Sequence, residues 1–203
     1  MRYSYYWIPK NDTQFGRYGA DWFSSHQRFK KIIRKKCPEY KNIDFLSALE
    51  KISQYGFHAE IIAPFKLAKG RTEADAFLFL KNLVRFFTKF DLTLRLSKDG
   101  NRIYLDSPHD VAIFQDIKKK FCMNINSIIS DPIDLKICLS PLEMNLAMTD
   151  NEELCSQIYD VAFLYWQEIL KKNITFEAIS LCYQKNASSP FKELTRLSLK
   201  MVY

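Results

Sequence analysis

The sequence predicts an α+β protein with mainly antiparallel strand pairing. Three observations carry this. Short runs such as "FHAEII" (57–62) and "LTLRLS" (92–97) alternate with the period of a strand. "KDGN" (98–101) lies between two such runs, and its Asp-Gly favours the positive backbone angles of a type I′ hairpin turn. The elements then follow as strand–helix–strand–strand–helix, and afterwards helix–strand–strand, an order that suits mixed layers with antiparallel sheets.

Each element has its own signal. "RYSYYWI" (2–8) is aromatic-rich, ends at Pro9 and reads as the first strand. "NDTQFGRYGADW" (11–22) contains two glycines and reads as a loop. "RFKKIIRKK" (28–36) is a short basic helix that stops near Pro38, and "DFLSALEKIS" (44–53) gives a further turn or two of helix. Thr72 and Asp75 have capping-box spacing, and the apolar stripe Phe79, Leu80, Leu83, Phe86, Phe87 follows them. "RIYL" (102–105) is the returning hairpin strand. Ser107, Pro108 and Asp110 start a helix that runs to about Phe121. Residues 124–148, broken by Pro132 and Pro141, give no assignable element. Thr149 and Glu152 repeat the capping-box spacing and open a helix through about 160–170. "ITFEAISLCY" (174–183) and "ELTRLSLKMVY" (193–203) read as the closing strands.

The 203 residues suit one domain and can bury a core. The chain is 47% hydrophobic and 15% aromatic, which argues against disorder. The formal charge of +7 suggests an anionic partner, a nucleotide, RNA or other phosphorylated molecule, with a plain lysine-rich surface as the equal alternative. It points to no DNA specificity. Cys37, Cys122, Cys138, Cys155 and Cys182 are odd in number and widely spaced, as expected of reduced thiols rather than a disulfide framework or zinc site. No signal-peptide core opens the chain and no apolar run reaches membrane-span length, so a cytoplasmic protein without membrane contact is expected. Phosphate loops of the standard Gly-rich spacings are absent, as is Gly-x-Ser-x-Gly.

Strand alternation sets the chemistry at His58. In 57–62, Phe57, Ala59 and Ile61 share one face, while His58, Glu60 and Ile62 share the other. Polar groups at i and i+2 on a strand mark either an exposed edge or a wet cleft, because burial without partners costs on the order of 1–3 kcal/mol each. "ITFEAISL" is built the same way, with Glu177 in the place of His58. His58, Glu60 and Glu177 also suit a metal in type, but no further ligand is evident, so neither a metal nor a cofactor is expected.

The stretches "RYSYYWIP", "RYGADW" (17–22), "YGFHAEIIAPFKLAKGRTEAD" (55–75) and "SPFKELTRLSL" (189–199) resemble the 2H phosphoesterase superfamily, in its branch often associated with phosphonate-metabolism operons. The resemblance implies a single bilobal domain over 1–203, with two mainly antiparallel sheets, helices outside and a central cleft. Each lobe of such a protein supplies one His-x-Thr or His-x-Ser motif, and the two histidines serve as base and acid on a cyclic phosphodiester. Here the first motif, around 55–65, is His58-Ala59-Glu60. The second is expected around 174–181, as Glu177-Ala178-Ile179. His58 and Glu177 are then a relict or altered catalytic pair facing one another across the cleft, with Glu60 in the hydroxyl position.

Ionised Glu60 and Glu177 repel a phosphodiester by about 4 kcal/mol per charge pair at 4 Å and an effective dielectric near 20. Loss of standard cyclic phosphodiester hydrolysis is therefore expected. The leading reading is a degenerate cleft that binds a small phosphorylated ligand or a partner. The alternatives are an active phosphoric diester hydrolase using His58 and Glu177 on a cyclic phosphate or RNA end, and a basic RNA-binding protein using 28–36. Lys66, Lys69 and Arg71 precede the Thr72 helix start, where free backbone N–H groups favour an anion, and are the expected ligand contacts.

Overall fold

β1 (Arg2–Trp7) is the hub of the molecule in the computed structural model, which describes residues 1–24, 33, 35, 37–40, 43, 45–53, 56–109, 111–133 and 140–201. It pairs antiparallel with β2 (Ala59–Phe65) on one side and with β8 (Ala178–Gln184) on the other. β9 (Lys192–Ser198) completes a sheet of order β2-β1-β8-β9. Covered on both flanks, Tyr3, Tyr5, Tyr6 and Trp7 are all buried, and Ser4 donates its hydroxyl to the Ile62 carbonyl at 2.6 Å.

A second antiparallel sheet joins β4 (Arg95–Asp99), β5 (Arg102–Asp106) and β6 (Glu143–Met148). β3 (Phe90–Leu92) and β7 (Ile174–Phe176) form a small antiparallel ribbon of their own. The chain is thus α+β, its strand ladders are antiparallel, and helices pack on the sheets. α2 (Phe45–Ser53) packs on β6, and α3 (Glu73–Val84) on β8 and β9. α4 (Val111–Ile125) packs on β2, and α5 (Glu152–Trp166) on the second sheet.

Several expectations are corrected. The stretch 11–22 is not a loop, because α1 (Gln14–Ser24) runs through it. Gly19 serves close packing there rather than a turn: a Cβ on it would lie 1.8 Å from the Phe57 ring. Trp22 on the same face is fully buried and donates its indole N–H to the Leu146 carbonyl at 2.8 Å, tying α1 to β6. Residues 143–148, given no element from sequence, form β6. The strand expected over 92–97 is divided between β3 and β4, and the one over 174–183 is divided at Glu177. At both breaks the chain leaves the ribbon for a larger sheet.

The cap of α5 is Asn151, whose side chain accepts from Leu154 N at 2.9 Å; Thr149 instead accepts from Asn151 N at 3.2 Å. The Thr72 cap of α3 is found as expected, with Asp75 accepting from Thr72 N at 2.7 Å. In the hairpin, Asp99 pairs with Arg102, and Gly100 has φ of 54° while Asn101 does not have positive φ. That places glycine first, the pattern of a type II′ turn rather than type I′. Cys37, Cys155 and Cys182 are free and buried, whereas Cys122 is disulfide-bonded, against the expectation of reduced thiols throughout. Most of 28–36 and the Asp110 helix start lie outside the described residues. Among the described residues no helix is long and apolar enough to cross a membrane.

Candidate functional site: a polar cleft between the two sheets

Alternation along the strands of both sheets aims polar side chains into one cavity of about 500 Å³. On β2, Ala59 and Ile61 turn into the core, while Glu60 lines the cavity together with His58, just before the strand. β6 repeats this arrangement. Met144 and Leu146 are fully buried on one face, and Glu143 and Asn145 line the cavity from the other. Arg2 and Tyr6 of β1, Arg102 of β5 and Lys118 of α4 complete the polar lining.

His58 makes a hydrogen-bond contact and a ring contact. Its Nδ1 lies 3.1 Å from the Gly56 carbonyl, and its ring stands 4.0 Å from the Tyr6 ring, centroid to centroid. A carbonyl only accepts, so the Nδ1 carries a proton and the neutral ring keeps its basic lone pair on Nε2. Arg102 donates to Glu143 at 3.2 Å, contacts Asp99 at 3.4 Å, and lies 5.2 Å from the Tyr104 ring centroid. Arg2 donates from Nε to Gln184 at 2.9 Å. Lys118 donates to Ser140 Oγ at 2.5 Å and approaches the Ser140 carbonyl at 3.4 Å.

Burial raises the Glu60 carboxyl above its ordinary range, with the Lys118 ammonium pulling the other way. Burial also lowers the Lys118 ammonium, against the pull of Glu60 and Glu143. Among the described residues the lining therefore sets the basic side chains of Arg2, Arg102 and Lys118 against the acidic ones of Glu60 and Glu143, with His58 beside them. Such a set can hold an anion and can offer one base. Among the described residues it does not contain a second imidazole.

The structure brings His58 and Glu60 together as expected, but it does not bring Glu177 to them. Glu177 lines a different cavity of about 370 Å³, where it pairs with Lys10 at 3.2 Å and Lys89 at 3.9 Å. The reason is the break between β7 and β8. Alternation counted through 174–181 assumes one continuous strand, whereas Glu177 sits at the switch between sheets, its carbonyl accepting from Leu199 N at 2.8 Å. Lys66, Lys69 and Arg71 lie between β2 and α3 and do not line the His58 cavity; Arg71 pairs with Asp75 at 3.3 Å.

Sequence reasoning missed Arg2, Arg102, Lys118, Glu143 and Asn145. The signal for the last two was present. "EMNLAM" has polar groups at i and i+2 between apolar neighbours, the pattern already noted at His58 and Glu60. Among the described residues no cluster of three or more His, Cys, Asp or Glu is placed to hold a metal.

No family model matches the chain. Over 94 residues, 46% of this chain, it is 31% identical to a protein of Laribacter hongkongensis (strain HLHK9) named ribose 1,5-bisphosphate phosphokinase PhnN, and covers 22% of it. A protein of the same name from Janthinobacterium sp. (strain Marseille) is 30% identical over 73 residues, 36% of this chain and 16% of the relative. The chain thus spans about a fifth of the length of the curated relatives it matches. Among solved structures, apo LigT of E. coli superposes with a TM-score of 0.42 at 12% identity, covering 98% of this chain and 97% of LigT. A solved phosphoesterase gives 0.42 at 11% identity, with 98% of both chains covered.

Proposed function

We propose that the cleft between β2 and β6 binds a small phosphorylated molecule without running the two-histidine hydrolysis of a cyclic phosphodiester. The observation that carries this is the lining itself: Arg2, Arg102 and Lys118 converge on one cavity where, among the described residues, His58 is the one imidazole and shares the wall with Glu60 and Glu143. Cations give affinity for phosphate. Turnover of the paired-histidine kind needs a second imidazole opposite the base, and among the described residues the lining offers none. The name carried by the partial relatives adds phosphorylated riboses to the ligands worth trying.

Binding and turnover are measured separately, by calorimetry and by product analysis, on 2′,3′-cyclic nucleotides, ADP-ribose cyclic phosphates, ribose phosphates and short RNAs. The expected outcome is saturable binding of at least one phosphorylated small molecule, weakened by Arg102→Ala, with no turnover. Hydrolysis at ordinary enzyme rates, abolished by His58→Ala, would instead make this a phosphoesterase with an altered acid. Preference for RNA with steep salt dependence would move the function to the basic surface.

A further inference from the structure

Glu60 is the unexplained group of the cleft. It is half-buried on the cavity wall, and among the described residues it has no hydrogen-bond or ion-pair partner. The other charged groups that face it are accounted for. Glu143 is tied to Arg102 at 3.2 Å, Arg2 to the neutral Gln184, and Lys118 to the neutral Ser140. His58 is fixed by Gly56 and Tyr6. A carboxylate without partners at such a depth costs free energy, and a phosphate entering beside it adds a like charge.

Resting on the anion-binding reading above, we propose that Glu60 takes up a proton from solvent as the phosphorylated ligand binds, and donates its O–H to a phosphoryl oxygen. The exchange solves two problems at once. It removes the repelling charge, and it leaves the ammonium of Lys118 to the ligand instead of to Glu60. No covalent bond changes; one proton moves from bulk water to the complex. Burial already moves the Glu60 carboxyl upward in the free cleft, so binding has to supply only the further rise.

The sign follows from linkage. Above the free-state pKa of Glu60 and below its value in the complex, affinity falls about tenfold per pH unit as pH rises. The probe is 2′,3′-cyclic AMP, a phosphodiester with no second ionisation. Calorimetry from about pH 5 to 8, in buffers of different ionisation heat, reads both affinity and proton uptake.

Wild type is expected to take up close to one proton more than Glu60→Gln, which donates an N–H without titrating. The affinity of Glu60→Gln is expected to lose that part of the slope, any remainder belonging to His58 and to Lys118, which burial lowers. Equal slopes and equal uptake in the two proteins overturn the proposal while leaving the anion cleft standing. Absence of binding by wild type at every pH overturns the cleft reading, and this inference with it. Should Glu60→Gln misfold, the double variant His58→Gln/Lys118→Met decides: uptake that persists there supports Glu60, and uptake that vanishes refutes it.

Discussion

Lys118 is only 3% exposed, yet its amine stands on the wall of a cavity. An ammonium kept there without a salt bridge in its own right, hydrogen-bonded to Ser140, is costly for folding. Replacing it by an apolar side chain of similar length should therefore separate stability from binding. Lys118→Met is expected to hold Tm or raise it by about 2–4 °C, while phosphate affinity falls at least about tenfold. Thermal melts and calorimetry on the same sample check both. A sharp drop in Tm would show that the bond to Ser140 holds the fold rather than serving a ligand.

Helices and strands set the precision of the site, and Gly19 shows how. Its missing side chain lets α1 lie against Phe57, which also stacks on Trp166 at 5.4 Å between centroids. Phe57 immediately precedes His58. Gly19→Ala is expected to cost about 1–3 kcal/mol through overpacking, seen as a Tm lower by about 2–10 °C, and to weaken ligand binding by displacing His58. An unchanged melt would mean the ring moves aside freely.

The same position marks the limit of what could be read in the sequence. Two glycines three positions apart resemble a turn when only local propensity is considered, and become helical because a Phe 38 residues away needs the room. β2, α3 and the β4–β5 hairpin were legible because alternation, the Thr72 cap and the Gly100 turn are local signals. Glu177 was misplaced because a change of sheet resets the alternation and leaves no local mark. The Lys118 wall was illegible because it depends on α4 lying across β2.

Across the whole molecule, charge is sorted into separate places. Glu177 neutralises Lys10 and Lys89 in its own cavity, apart from His58. Glu177→Ala should lower stability by about 0–1 kcal/mol as the two lysines lose their counterion, and should leave ligand affinity in the His58 cleft within about twofold. A large loss of affinity would join the two cavities functionally.

Arg2 belongs to the first sheet and Arg102 to the second, and the cleft is the seam between them. A ligand held by both arginines is therefore a tie-bar. It fastens the amino-terminal strand to a hairpin a hundred residues further along, so that opening either sheet must first let the ligand go. The occupied protein would resist unfolding as one body, and its lifetime against proteolysis would report the concentration of any ligand that bridges the seam.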